Sequence, residues 1–110
     1  LIWTKDAQQI EGTMKWTTAL IECNNLDFAG YTDWRLPNVK EFLSLIDYEE
    51  HDPALPSGHP FDDVQVIFYW SSTNYDSFPP HAWGVYVHNG YVYNYHKITN
   101  AYVWSVRGGM

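Results

Sequence analysis

The spacing of apolar residues predicts two helical segments in the first half of the chain. From Thr13 to Leu26 the apolar residues recur at steps of three and four, which aligns them on one helical face. These residues are Trp16, Ala19, Leu20, Cys23 and Leu26. The pattern therefore predicts a first helix over residues 13–26, with this face buried.

A second helix is predicted directly after Pro37, because proline biases the preceding Leu36 away from helical backbone angles. Asn38 can cap this helix, and Glu41, three residues later, can reach back to the Asn38 amide. The expected buried stripe of this helix comprises Val39, Phe42, Leu43 and Ile46. The capping pair makes this the more sharply defined of the two helices.

Short extended segments are predicted near both ends of the chain and in its middle. LIWT at 1–4 is expected to pair with the C-terminal segment AYVWSVR at 101–107, and IFYWSST at 67–73 is a compact strand signal. Residues 47–63 are rich in Asp, Glu, His, Pro and Gly without periodicity, which predicts a surface loop.

A hairpin is predicted around Asn89-Gly90, because this dipeptide suits a two-residue type I′ turn in which both central residues need positive φ. The corresponding register pairs His88 with Tyr91, Val87 with Val92 and Tyr86 with Tyr93. Side chains alternate across a strand, so the hairpin has two chemically different faces. One face carries Trp83, Val85, Val87 and Val92. The other carries Tyr86, His88, Tyr91, Tyr93 and Tyr95.

Composition adds two constraints to this pattern. The 110 residues fit one domain over 1–110, and 18% of them are aromatic, with six Trp and nine Tyr, so part of the aromatic content is expected to face outward. The formal charge is −7, and the six basic residues form no cluster, which disfavours nucleic acid, heparin-like polymers and anionic membranes as partners. Neither direct membrane insertion nor nucleic-acid binding is therefore expected.

The chain contains no apolar run of the length that spans a bilayer, and its start, LIWTKD, lacks the features of a secretion signal. We therefore expect a fragment of a larger chain, whose signal or anchor would lie elsewhere. The single Cys23 allows no internal disulfide.

Several motifs together resemble a known bacterial family. They are LIW at 1–3, W-x-x-A-x-x-x-C at 16–23, GYTDWRLPNVKEFLSLID at 30–47, YWSST at 69–73, AWGVYVHNG at 82–90 and YVWSVRGG at 102–109. The chain resembles the domain family named after the C-terminal domain of a collagen-like adhesin, itself similar to the C-type-lectin-like superfold. The resemblance covers nearly the whole chain. It implies an α+β fold in which two helices pack on a small, twisted, mainly antiparallel sheet with long loops and adjacent termini.

The sequence departs from this family at one position. Relatives commonly carry a cysteine in the last strand, as partner to the helix cysteine, where this chain has Ser105. The resemblance therefore implies that a disulfide is absent here. WRLP also occurs in formylglycine-generating oxidase-like domains, but their chemistry resides in late cysteines, which this chain lacks.

The chain is also similar to the variable proteins of diversity-generating retroelements, which share this fold and concentrate ligand-binding variation near the C-terminus. Such positions favour Tyr, Asn, Asp, His and Ser. The residues of this kind are Asn74, Tyr75, Asp76, Ser77, His88, Tyr91, Tyr93, Asn94, Tyr95, His96 and Asn100.

The tyrosine face of the hairpin is the candidate binding platform, because tyrosine offers a rigid contact surface and a hydroxyl at low entropic cost. The alternative is that these residues merely favour pleated strands or are covered by the long loops. The expected contact residues are Asn74, Tyr75, Asp76, Tyr86, His88, Tyr91, Tyr93, Asn94 and Tyr95. Carbohydrate and protein ligands suit such a surface equally well.

Metal binding and catalysis have weaker signals. The acidic stretch at 47–52, with Asp62 and Asp63, could supply calcium ligands, but it follows no fixed-spacing calcium motif, so a solvated loop is the favoured interpretation and no cofactor is assigned. The five histidines lack zinc-site spacing. Ser71, Ser72 and Cys23 are interpreted as structural, so no catalytic residue is assigned.

We therefore expect a non-enzymatic, extracellular or cell-surface recognition module of the adhesin or lectin-like kind. The alternative is a structural module of a larger surface protein or filament, in which the same aromatic face is buried in a subunit interface, as in a homo-oligomer.

Overall fold

A computed structural model describes residues 1–109; Met110, the last residue of the predicted single domain, lies outside them. The elements in chain order are β1 (Ile2–Trp3), β2 (Thr13–Met14), α1 (Trp16–Asn24), α2 (Val39–Leu43), β3 (Phe68–Asn74), β4 (His81–Tyr86), β5 (Val92–His96), β6 (Ala101–Tyr102) and β7 (Val106–Arg107). Five strands form one sheet in the order β2-β6-β3-β4-β5, and β1 pairs with β7 separately. Only the β3–β6 pair is parallel among these described strands. The α+β architecture with a mainly antiparallel sheet is therefore confirmed.

The first helix is shorter than the sequence predicts. It begins at Trp16 because Thr13 and Met14 belong to β2 and pair with β6 of the five-stranded sheet. It ends at Asn24, so Leu26 lies beyond it. The predicted buried face is nevertheless right, since Ala19 and Cys23 are fully buried. The start of α1 is set by the pairing of β2 with β6, which the spacing of apolar residues cannot predict.

The second helix begins as predicted. The Asn38 side chain accepts a hydrogen bond from the Glu41 backbone N–H (2.8 Å), and the Glu41 carboxylate accepts one from the Asn38 N–H (2.9 Å), which completes a capping box. The helix ends at Leu43, so Ile46 contacts the core from outside it. Arg35 donates two hydrogen bonds to the Glu41 carboxylate (2.7 and 2.6 Å) and one to the Gly108 carbonyl (2.9 Å). The helix start is thereby tied to the C-terminal end of the described chain.

The two chain ends meet as predicted, but the last segment is not one strand. Ile2 pairs with Arg107 and Trp3 with Val106 in an antiparallel ladder. Residues 101–107 divide into β6 and β7, which belong to different sheets. The chain leaves the sheet between them to bury Trp104, whose indole N–H donates to the Thr4 carbonyl (3.0 Å).

The helix α1 packs on one face of the five-stranded sheet and α2 packs on the other. Phe68 and Trp70 of β3 point toward α1 and join its buried residues in one core cluster. Tyr69 and the β4 residue Val85 point the other way and join Phe42 of α2 in a second cluster. The segment 47–63 contributes buried Ala54 and Leu55 to the structure, so the prediction of a purely surface loop is wrong at these positions.

Ser105 lies against Cys23 in the interior. Its hydroxyl donates to the Cys23 sulfur over 3.2 Å, and both residues are buried. The position at which the resemblance places a second cysteine is therefore in direct contact with the first.

Candidate functional site

The hairpin that carries the predicted platform has a different turn from the one expected. β4 and β5 pair Val85 with Val92 and Gly84 with Tyr93, so the register is displaced by two residues from the prediction. The turn spans 87–90 and is closed by hydrogen bonds between Tyr86 and Tyr91 (2.9 Å) and from the Gly90 N–H to the Tyr86 carbonyl (2.7 Å). Gly90 has a positive φ of 79°, whereas Asn89 does not, so the type I′ prediction is wrong.

The contacts of Val87 explain why the turn differs from the type I′ turn that Asn89-Gly90 favours. Its side chain is fully buried, its N–H donates to the Ile67 carbonyl (3.0 Å), and its carbonyl accepts from the Ala54 N–H (2.7 Å). These contacts draw Val87 out of the β4–β5 ladder and toward the 47–63 loop. A longer turn results, and the rest of the hairpin keeps its parity because the displacement is even.

The sorting of side chains between the two faces is therefore confirmed for the hairpin strands. The aromatic face, as defined here, comprises Tyr86, Tyr91, Tyr93 and Tyr95. Tyr91 is 56% exposed and Tyr93 is 42% exposed, whereas Tyr86 and Tyr95 are half-buried. The face is thus an open surface with a partly sunken floor, and the long loops do not cover it.

Phe68 supports this floor from below. Its buried ring packs edge-on against Tyr95 (centroids 4.8 Å apart) and against Tyr86 (5.4 Å). Gly84 makes room for it, because a Cβ at that position would overlap the Phe68 ring and the Tyr69 carbonyl oxygen. Neither Phe68 nor Gly84 was among the predicted site residues. A glycine inside a strand, which often marks a close approach, was the available signal.

The two half-buried tyrosines are joined at their tips. The hydroxyls of Tyr86 and Tyr95 lie 2.7 Å apart in a hydrogen bond. This bond, followed by burial, raises the pKa of Tyr86 to about 12. The Tyr86 phenol therefore remains a neutral hydrogen-bonding group across the physiological range.

Two grooves open on either side of this phenol pair. The turn groove has a volume of about 250 Å³ and the Asn100 groove about 380 Å³. The turn groove is lined by Tyr86, His88, Asn89, Tyr93 and Tyr95. The Asn100 groove is lined by Thr13, Ile67, Phe68, Tyr86, Tyr95, Thr99, Asn100 and Ala101. Since Tyr86 and Tyr95 line both, the phenol pair is a wall that the two adjacent grooves share.

His88 lines the turn groove from the turn itself and not from a strand position. Its imidazole contacts the Asp52 carboxylate, and its carbonyl accepts from the Asp52 N–H (2.9 Å). The acidic loop is thereby attached to the hairpin turn.

Two of the remaining predicted contact residues, Asn94 and Tyr75, lie on the opposite side of the sheet. Asn94 is on the opposite face of β5, where its side chain hydrogen-bonds His81 (2.8 Å). Tyr75 stacks on Trp83, which also lies on that opposite face (centroids 4.7 Å apart, 17° between planes). The Asn74 side chain bonds Asp76 (2.9 Å). Tyr75 and Asn94 therefore do not share one surface with the hairpin tyrosines, whereas ligand contact by Asn74 and Asp76 stays a prediction.

The acidic residues considered for calcium do not converge. Asp47 accepts from the Glu49 N–H (3.0 Å), Asp52 contacts His88, and Asp62 lies 3.7 Å from Lys5. Within residues 1–109, no three His, Cys, Asp or Glu side chains come together as ligands of one ion would.

The structure also places the candidate nucleophiles in the interior. Burial raises the pKa of the Cys23 thiol to about 11. The Ser71 hydroxyl is buried and donates to the Trp83 carbonyl (2.6 Å). These contacts agree with the structural roles expected for both side chains.

No curated protein matches the chain. Neither helix in the described part of the chain is long and apolar enough to cross a membrane. The family model described as the Lcl C-terminal domain matches residues 1–107, which indicates a module of a surface-associated protein. Because this match spans nearly the whole sequence, the chain belongs to the Lcl C-terminal domain family.

Proposed function

We propose that this domain is a non-enzymatic, lectin-like recognition module of an adhesin-type surface protein, and that it captures a carbohydrate or protein ligand on the aromatic face. The observation that carries the proposal is the exposure of Tyr91 (56%) and Tyr93 (42%) beside the recessed Tyr86–Tyr95 pair. Adjacent exposed aromatic rings are uncommon on a surface without a partner. The family match supports the surface location.

The geometry of the face suits recognition. Tyr86 lies edge-on to Tyr93 (centroids 5.1 Å apart), and Phe68 holds Tyr86 from below. The rings are therefore largely fixed before a ligand arrives, which lowers the entropy lost on binding. A depression with aromatic walls and a few polar groups is the usual form of a small-ligand site.

The absence of catalysis is part of the proposal and is supported by the roles of the candidate groups. Cys23 is buried with a raised thiol pKa, and the Ser71 hydroxyl is committed to a backbone carbonyl. Neither side chain lines the grooves of the aromatic face. A hydrolytic or transfer reaction would require a nucleophile and a base that converge on one bound atom.

The test compares the parent domain with a Tyr91→Ala/Tyr93→Ala double variant on immobilised glycans and in pull-downs of defined extracellular proteins. Loss of the large contact surface is expected to weaken binding about 30-fold or more, as for hot-spot tyrosines. The melting temperature is expected to stay within about 4 °C of the parent, because both side chains are exposed.

Tyr31→Ala is the matched control, because Tyr31 is similarly exposed (48%) but lies against Arg107, away from the hairpin. It should leave binding unchanged. Unaltered binding by the double variant would refute the proposal, and a large loss of stability without loss of binding would assign the two tyrosines to the fold.

The second candidate function is burial of the same face against another subunit. It is favoured by Ile67, an apolar side chain in the Asn100 groove that is 47% exposed. Light scattering separates the two functions. A stable oligomer in which the hairpin tyrosines become protected supports assembly, whereas a monomer supports ligand capture.

A further inference from the structure

The lining of the two grooves differs in charge from the rest of the molecule. The chain carries 13 acidic and 6 basic residues. None of them lines the turn groove or the Asn100 groove in the described part of the structure. Lys97 lies two positions before Thr99, but its ammonium donates to the Asn74 side chain (2.5 Å) and lies over the Trp16 ring (4.3 Å). Neither groove is therefore lined by an Asp, Glu, Lys or Arg side chain, and the His88 imidazole in the turn groove contacts the Asp52 carboxylate.

The polar groups that remain can each donate and accept hydrogen bonds. The Tyr86–Tyr95 pair uses one of its two O–H donors internally, which leaves the other donor and several lone pairs for a ligand. Thr99 and Thr13 add hydroxyls, and Asn100 adds an amide, in the larger groove. Such groups match a ligand rich in hydroxyls, because a hydroxyl also donates and accepts.

The apolar groups complete the match. Tyr93 in the turn groove, and Ile67 with Phe68 in the Asn100 groove, offer surfaces for the C–H face of a sugar ring. Each groove is a compartment of a few hundred cubic ångströms, and the two share the phenol pair as a common wall. A ligand that fills both must be elongated and must cross the paired hydroxyls.

We propose that the aromatic face binds an uncharged oligosaccharide of at least two sugar units, which lies across the Tyr86–Tyr95 hydroxyl pair with one end in the turn groove and the other at Asn100. This inference rests on the function proposed above and narrows its ligand. An anionic saccharide would meet no Lys or Arg in the lining, where the His88 imidazole is already in contact with the Asp52 carboxylate, and the net charge of −7 opposes its approach. A cationic ligand would meet aromatic rings but no carboxylate among the lining residues.

The experiment titrates the domain with uncharged tetrasaccharides of glucose, mannose, galactose and N-acetylglucosamine. Heparin tetrasaccharide, a sialylated tetrasaccharide and choline serve as charged probes. We expect at least one uncharged probe to bind, with an affinity that changes less than twofold between 50 and 500 mM NaCl, because no ion pair forms. Tyr95→Phe and Asn100→Ala should each weaken this binding about fivefold or more, since each removes a hydrogen bond to the ligand.

Asn24→Ala, at an exposed position at the end of α1, is the matched control for Asn100→Ala and should bind as the parent does. Binding of the charged probes alone, or of no saccharide, would overturn the inference, as would uncharged binding that neither groove variant weakens. The two proposals fail separately. Capture of a defined protein that is lost in the Tyr91→Ala/Tyr93→Ala variant, with no saccharide bound, overturns the saccharide assignment and leaves the recognition surface standing. Saccharide binding that survives all of these variants overturns both.

Discussion

Restoring the second cysteine by Ser105→Cys should create a disulfide without rearranging the core. The Ser105 hydroxyl and the Cys23 sulfur lie 3.2 Å apart, so two sulfurs need to approach by about 1 Å to reach bonding distance. The residues are 82 positions apart, and the chain-entropy model gives about 4.5 kcal/mol for closing a loop of this length. Strain commonly reduces such gains, so we expect about 2–4 kcal/mol.

The assay is equilibrium unfolding of the Ser105→Cys variant in its oxidised and reduced forms. A gain of about 3 kcal/mol should raise the melting temperature of a domain of this size by about 10–15 °C. The swapped variant, Cys23→Ser/Ser105→Cys, contains one thiol at the same site and serves as the control that cannot crosslink. Two free thiols that persist under oxidising conditions, or an oxidised form no more stable than the reduced one, would show that these side chains are not adjacent.

Three further perturbations test the scaffold. Glu41→Gln should cost about 1–3 kcal/mol at pH 7, since it removes the charged partner of Arg35. The hydrogen bonds from Arg35 lower the pKa of Glu41 below 4.5. The contribution of the Arg35–Glu41 pair to the free energy of unfolding is therefore full above that pH, and it is lost as pH falls through the folded-state pKa of Glu41. In urea unfolding experiments from pH 7 to pH 3, the difference in the free energy of unfolding between parent and variant should shrink. A difference that stays constant over this range would contradict the ion pair. Burial raises the pKa of Cys23 from 9.0 to about 11. The stability that the neutral thiol contributes to the fold is therefore full below pH 9 and is lost as pH rises toward 11. Between pH 9 and 11 the free energy of unfolding of the parent should fall by up to about 3 kcal/mol relative to that of Cys23→Ala. A difference between the two proteins that does not change with pH would contradict burial of the thiol. Gly84→Ala should destabilise the domain by about 1–3 kcal/mol and alter the near-ultraviolet circular dichroism, because its Cβ overlaps the Phe68 ring; an unchanged spectrum and stability would contradict this packing.

The features that the sequence predicted well depend on neighbouring residues. The capping box needs only Asn38 and Glu41, three positions apart, so its pattern is visible in the chain. The two-sided character of the hairpin depends only on strand parity, and it survived a register displacement of two residues.

The features that the sequence did not predict depend on distant contacts. The hairpin turn was decided by Val87, which bonds to Ile67 and Ala54 from other segments. The bounds of α1 were decided by the pairing of β2 with β6, whose paired residues lie 87 and 89 positions apart in the chain. No local pattern carries such information.

The candidate site was predicted in part for the same reason. The alternation of side chains along a strand predicted that Tyr93 and Tyr95 lie together on one face. It could not predict that Tyr75 packs on Trp83 on the opposite face of the sheet. The Asn100 groove was missed because it is formed where β6 adjoins β3, a parallel pairing between segments far apart in the chain.

The position of a bound ligand on the domain tests the central claim most directly. Backbone amide shifts of the isotopically labelled protein should be followed during titration with the uncharged tetrasaccharide that binds. The largest changes are expected along the two grooves, at Tyr86, Tyr93, Tyr95 and Asn100. Changes centred instead on Tyr75, on the opposite face of the sheet, would contradict recognition by the aromatic face.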